Sequence, residues 1–110
     1  MISEGDIWLV NFPLEENPTE FLPRPVIVLN VELPYILSTK ITKHDPRATD
    51  PFDTPILHWK DANLNYPSTA RVSKTIPLEI SKFIHLIGIA NTNDLITIQE
   101  VYTEFLLRQI

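Results

Sequence analysis

Cysteine is absent from the 110 residues. Its absence excludes disulfides, thiolate metal sites and cysteine nucleophiles together, and it fits an intracellular, cytoplasmic setting. Long apolar runs are also missing. None exceeds four residues, Val26–Leu29 being one, whereas a membrane-spanning helix needs roughly 20. The expectation is a soluble chain with no membrane partner. Met1–Glu4 carry neither a basic n-region nor an apolar h-region, so no signal peptide is read there. Lys and Arg do not occur before Arg24, and the net charge is -5. Duplex DNA is gripped by clustered cations, so direct DNA binding is not expected. Proline, finally, is missing from the last third: all ten prolines lie between Pro13 and Pro77. Proline is kept out of helix interiors and central strands. The first two thirds therefore read as short strands joined by proline-marked loops, and the last third is free to be helical.

What is present is ordinary for a globular chain: 44% apolar and 21% charged residues. That is enough for one domain over residues 1–110 with one core, and too little for two. Gly5-Asp6 reads as a turn into a strand, Ile7–Phe12. A loop follows from Pro13 to Pro23, then a β-branched strand, Val26–Val31. Further strands are expected over Tyr35–His44, Thr54–Trp59, Thr69–Ile76 and His85–Ala90, with a helical turn within Leu78–Phe83. Leu95, Ile98, Tyr102, Phe105 and Leu106 recur at helical spacing. Thr92 or Asn93 can cap that helix, and Asp94 suits its positive end.

The cations are few but grouped. Lys40, Lys43 and Arg47 surround His44, and Arg71 and Lys74 form a second pair. A locally basic groove on an acidic body is compatible with this distribution. In the strand Tyr35–His44, alternation puts Ser38, Lys40, Thr42 and His44 on one polar face. Lys43 falls on the opposite face, so an ideal strand would not bring Lys40 and Lys43 to one groove. Thr69–Ile76 would turn Val72, Lys74 and Ile76 one way and Arg71, Ser73 and Thr75 the other. His58 and His85 lie in apolar strands and read as core or interface residues. Three scattered histidines make no metal site, and no metal or cofactor is implied.

Three blocks carry a family resemblance. Gly5-Asp6-Ile7-Trp8 with Phe12-Pro13 is similar to the opening strand of the PemK/MazF toxins. Arg24-Pro25-Val26-Ile27-Val28-Leu29 is similar to their Arg-Pro motif before an apolar strand. Leu64, Ser68 and Arg71, then Ile87-Gly88 and the terminal helix, complete the match along nearly the whole chain. The resemblance implies a mainly β fold, an SH3-like small β-barrel with a C-terminal helix. It also implies a homodimer, a cognate antitoxin, and cleavage of single-stranded RNA through a 2′,3′-cyclic phosphate. By position, Arg24 matches the family's catalytic arginine, Thr42 the threonine ending its central strand, and Arg71 an arginine some members use on the phosphate. Two positions depart from the pattern: Ser73 where some members are acidic, and Lys43 where many have serine.

RNA brings its own nucleophile, the 2′-hydroxyl. The protein must then supply a proton acceptor, a proton donor and positive charge for the phosphate oxygens. Arg24 suits the last role because its planar fork binds phosphate bidentately; the plain alternative is a surface arginine beside a proline turn. Thr42 reads equally as a β-former or as a group positioning phosphate. His44 is the natural acid or base, although histidines at strand ends are commonly just exposed. Arg71 and Ser68 are candidate phosphate contacts, with an ion pair the plain reading of Arg71. Lys40 adds backbone affinity, and Phe21 and Tyr66, both placed in loops, are candidate stacking platforms for bases. A competing reading, supported by the acidic balance, Ser73 and Lys43, is a non-catalytic SH3-like binding module that kept the fold.

Overall fold

In the computed structural model, which describes residues 1–110, six strands and one long helix follow one another. They are β1 (Asp6–Pro13), β2 (Phe21–Glu32), β3 (Tyr35–Thr42), β4 (Asp53–Ile56), β5 (Ser68–Glu79), β6 (Phe83–Ile89) and α1 (Thr92–Arg108). A 3-10 turn, Ile80–Lys82, joins β5 to β6. The strands form one antiparallel sheet in the order β4-β5-β3-β2-β1-β6. The fold is therefore mainly β with a C-terminal helix, as the sequence indicated. The sheet is not closed into a barrel by hydrogen bonds: β4 and β6 remain as edges.

Alternation along β1 and β2 explains how one sheet serves two cores. Ile7, Ile27 and Leu29 point to one face and join Ile41, Ile56, Val72 and Ile98. Val10, Phe12 and Val26 point to the other and meet Leu78, Trp8, Ile76 and Phe83. The first core is covered by α1 through Leu95, Ile98, Val101, Tyr102 and Phe105. Leu106, expected on that stripe, is exposed. The helix is capped by Asn91, whose side chain accepts from the Asn93 N–H at 2.8 Å, and not by Thr92 or Asn93.

Two prolines fall inside β2, which began at Val26 in the sequence reading. Pro23 and Pro25 pair only with β1, through Asn11 and Leu9, and β3 joins only from Val26 onward. The missing N–H groups are tolerated there because that stretch of β2 has a partner on one side alone. Arg24 is thereby carried on a strand rather than on a loop.

β3 ends at Thr42, and Lys43 and His44 lie beyond it. In β5 the register jumps: Thr39 pairs with Thr75, but Lys40 pairs with Arg71. Val72, Ser73 and Lys74 bulge out between those pairs. The Thr75 hydroxyl, 2.6 Å from the Val72 carbonyl, closes the bulge and also meets the Thr39 hydroxyl at 2.7 Å. The bulge breaks the alternation expected for Thr69–Ile76. Val72 enters the first core and Ile76 the second, although their parity is the same.

Glycine is required at two places that shape the sheet's ends. Gly5 has φ +90, a conformation that L side chains rarely adopt. It donates to the Val28 carbonyl at 2.8 Å and accepts from the Ala90 N–H at 2.9 Å. Gly88 lets the chain after β4 approach β6, since a Cβ there would sit 2.2 Å from the Ala62 carbonyl oxygen.

Candidate active site

A cleft of about 880 Å³ opens where β2, β3 and β5 meet the segment before β5 and the edge strand β6. Arg24 of β2, Lys40 and Thr42 of β3, His44 just beyond it, and Arg71 and Ser68 of β5 all line it, as does Tyr66. Seven of the eight residues singled out in the sequence are thus brought together. Phe21 is not. It opens β2 opposite Pro13, away from the cleft, and its ring is covered by the Lys82 ammonium at 4.1 Å.

Arg24, Lys40 and Arg71 also line a second cleft of about 530 Å³, so these three cations form the ridge between the two. Lys40 pairs with Arg71 across β3 and β5. Burial, with the charges of Arg24 and Arg71 alongside, pulls the Lys40 ammonium below the ordinary lysine range. Glu15 faces the ridge from the second cleft. Its carboxyl is held below the ordinary carboxylate range chiefly by its hydrogen bond and ion pair with Lys74.

The nine Lys and Arg side chains differ in what holds them. Arg47, Lys74 and Arg108 are in ion pairs with carboxylates. Lys40, Lys43, Lys60 and Lys82 lie over aromatic rings. Arg24 and Arg71 have neither kind of partner, and the Arg71 Nε is buried without an acceptor. A buried N–H left unmatched costs roughly 1–3 kcal/mol.

Arg47, grouped in the sequence with Lys40 and Lys43, is engaged elsewhere. Its Nε donates to Asp53 at 2.8 Å, and its Nη2 donates to Asp53 at 2.9 Å and to Asp50 at 3.1 Å. The Asp53 side chain is fully buried. The Arg47 hydrogen bond holds the Asp53 carboxyl below the usual range, and Asp53 in turn raises the guanidinium. Ser73, one of the two positions that depart from the family pattern, donates to Asp50.

Lys43 corrects the strand-based expectation. It lies past the end of β3, lines the same cleft as Lys40, and sits 5.5 Å from the centre of the Tyr66 ring. Tyr66 is 60% exposed, held at its carbonyl by the Ser68 hydroxyl at 2.7 Å. The Thr42 hydroxyl accepts from the His44 N–H at 3.3 Å. Asn63, in a left-handed conformation, donates to the Ile87 carbonyl at 2.8 Å and ties this wall to β6.

Sequence reasoning missed His85. It is exposed on β6 and lines the cleft rather than a core. His58 is also outside the core: it follows β4, and its Nδ1 and N–H lie 3.2 and 2.9 Å from the buried carboxylate of Asp94. Asp94 does sit in the first turn of α1, where it also fastens the chain after β4. No group of three or more His, Asp or Glu is arranged to hold a metal ion, and no helix is long and apolar enough to cross a membrane.

No curated protein matches the sequence closely. Among solved structures, 41 chains match the fold. One is the Mycobacterium tuberculosis toxin MazF-mt6, at TM-score 0.71 and 17% identity, with 92% of this chain and 95% of that one covered. A family model described as PemK-like, MazF-like toxin of type II toxin-antitoxin system matches residues 3–106. Spanning nearly all of the sequence and agreeing with the fold, that match establishes that the chain belongs to the PemK-like, MazF-like toxins of type II toxin-antitoxin systems.

Proposed function

We propose that this toxin is a metal-independent endoribonuclease acting on single-stranded RNA. The 2′-oxygen attacks phosphorus, the bond from phosphorus to the 5′-oxygen breaks, and a 2′,3′-cyclic phosphate and a 5′-hydroxyl are left. The observation that carries this reading is the pair Arg24 and Arg71, the two cations without a partner, facing one cleft. Two guanidinium forks there fit the equatorial oxygens of a phosphodiester, where charge develops in the transition state. Lys40 adds a third charge, Thr42 and Ser68 offer hydroxyl donors, and Tyr66 offers a face for a base. The sequence-wide charge of -5 is no obstacle, because no carboxylate lines this cleft.

The test is incubation with single-stranded RNA in EDTA, followed by mapping of the ends. Cyclic phosphate and 5′-hydroxyl termini are expected. Duplex RNA should survive because its geometry is locked, and DNA because it lacks the 2′-hydroxyl. A folded protein that cleaves no single strand would leave the non-catalytic binding module.

The same reading carries three further proposals. The chain is one cytoplasmic domain over residues 1–110. It forms a homodimer, for which Ile96, Leu106 and Leu107 supply an uncovered apolar face on α1; a monomer mass by light scattering at micromolar concentration would refute this. Its antitoxin crosses the stretch Pro13–Pro23, from the end of β1 to the start of β2, and the groove of Arg24 and Arg71. Undiminished antitoxin binding by an Arg24→Glu, Arg71→Glu variant would move the contact elsewhere.

A further inference from the structure

Cleavage needs a proton acceptor and a proton donor on opposite sides of the phosphate, and the cleft restricts the choice. No Asp or Glu lines it. Its charged residues are Arg24 from β2, Lys40 from β3, Lys43 and His44 from the exit of β3, and Arg71 from β5, with Tyr66 contributed by the segment before β5. Only two side chains in the cleft belong to a type that changes charge near neutral pH: His44 and His85. Neither ring makes a hydrogen bond or ion pair within the protein, and both residues are exposed. The third histidine, His58, is bound to Asp94 and does not line the cleft.

We propose that His85 and His44 are the proton-transfer pair of this site. The proposal rests on the reading of the cleft as an RNA-cleaving site. His85 owes its position to two register shifts in the pairing of β6 with β1, one between Ile7 and Trp8 and one between Leu9 and Val10. Between them stand the pairs Trp8–Leu86 and Leu9–His85. A regular strand would alternate, but here Ile84, His85 and Leu86 are exposed in succession. Bulges re-aim side chains in this way. The sheet order puts β2, which bears Arg24, and β1 between β3 and β6. Although the two histidines stand on segments three strands apart, both line the one cleft that also holds Arg24 and Arg71.

One neutral imidazole accepts the 2′-hydroxyl proton as the 2′-oxygen bonds to phosphorus. The other, as imidazolium, gives its proton to the 5′-oxygen as the phosphorus–oxygen bond breaks. The first ends charged and the second neutral, and exchange with water resets both. Arg24 and Arg71 hold the remaining phosphate oxygens throughout.

The experiment compares the full chain with His85→Gln, His44→Gln and the double variant, each checked by circular dichroism. Two single-stranded RNAs are used: one ordinary, the other with sulfur replacing the 5′-oxygen at the scissile position. Each single variant should slow the ordinary RNA by about 10²–10⁴-fold, the usual contribution of a general acid or base, and remove one limb of the pH–rate profile. One of the two, and only one, should regain rate on the sulfur substrate, because a thiolate leaves without a proton. His58→Gln should leave the profile unchanged. The pair is overturned if the wild type cleaves while folded His85→Gln keeps both its rate and its pH profile; Lys40 would then become the candidate base. It is also overturned if sulfur rescues neither single variant. A wild type inactive on every single strand would remove the RNA-cleavage reading and this pair with it, a result distinguishable from failure of the pair alone.

Discussion

Arg71 and Arg47 lie close to the same carboxylate and end in opposite states. Asp53 on β4 pairs in register with Arg71 on β5, and side chains directly opposite one another in antiparallel strands share a face. Yet Asp53 is held by Arg47, through the side-chain Nε and Nη2 and through the backbone N–H at 3.0 Å. The result is one arginine that fastens the loop between β3 and β4, and another whose buried Nε has no acceptor. A cation's chemistry here depends less on where it stands than on which carboxylate has already been taken. Arg24 reaches the same free state by another route: it lies in the stretch of β2 flanked by prolines, with β1 as its only neighbour.

The contrast is broken most severely by removing charge from the free side. Arg24→Ala should lower the cleavage rate by roughly two to three orders of magnitude, the scale for deleting one group that stabilises developing charge. Arg24→Lys should recover only part of it, since an ammonium makes no bidentate contact. Arg71→Met should also slow cleavage while leaving stability unchanged or slightly raised, because it removes a buried donor that has no partner. Single-turnover rates and urea midpoints, taken together, check both statements. An Arg24→Ala variant that folds and cleaves at the wild-type rate would refute its assignment.

Removing charge from the engaged side should act on stability first. Arg47→Met takes the guanidinium away from the buried Asp53 side chain and leaves it only the backbone N–H of residue 47. The expected loss is about 3 kcal/mol, the lower end for breaking a buried pair, because the guanidinium is one-third exposed. The freed carboxylate then has Arg71 as its nearest opposite neighbour in register, so the cleavage rate should fall as well. Adding Asp53→Asn should restore part of the rate. A double variant no faster than Arg47→Met would show that Asp53 does not turn to Arg71.

These two arginines also show how far the sequence could be read. The strands, the terminal helix, and the meeting of Arg24, Thr42, His44, Ser68 and Arg71 were legible because each rests on local pattern or on the family blocks. Arg47 looked like part of a basic cluster with Lys40 and Lys43, since its partner Asp53 lies six residues on, beyond Pro51, and no local rule pairs them. Lys43 was placed on the wrong face because alternation was carried past Thr42, where β3 ends. His85 was read as core or interface because two bulges, which depend on pairing with β1, are invisible in the apolar run around it. Phe21 was read as a loop platform because Pro23 and Pro25 hid the start of β2. The misses at His85 and Phe21 come from pairing between distant segments, which a single strand's pattern does not encode.

Acid sharpens the same contrast by a smaller amount. Arg47 lowers the Asp53 carboxyl below its ordinary value. The stabilisation is therefore fully present above the ordinary carboxylate value, about 3.9 for aspartate, and is lost as pH falls through the depressed value of the folded state. Thermal midpoints of the wild type should drop over that acidic interval. Arg47→Met and Asp53→Asn should each flatten that part of the curve, whereas Arg71→Met should leave it in place. A wild-type curve matching that of Asp53→Asn in acid would show that the pair contributes nothing to the pH dependence.

The smallest expected effect separates the two aromatic residues proposed to hold bases. Tyr66 lines the cleft with its ring exposed, whereas Phe21 lies under Lys82 and outside it. Stacking one base on an aromatic face is worth roughly 1–3 kcal/mol. The lower end applies to Tyr66, because the Lys43 ammonium already sits over its ring and must move aside or share it. Tyr66→Ala should therefore raise KM about tenfold for a short single strand with little change in kcat, since a base held equally in ground and transition states adds binding alone. Phe21→Ala should leave both constants within twofold or so, as expected of a side chain away from the bound strand. Steady-state kinetics on one oligonucleotide of fixed sequence measures both variants together. If Phe21→Ala raised KM and Tyr66→Ala did not, the strand would run over the outer end of β2 and not through the cleft of Arg24 and Arg71.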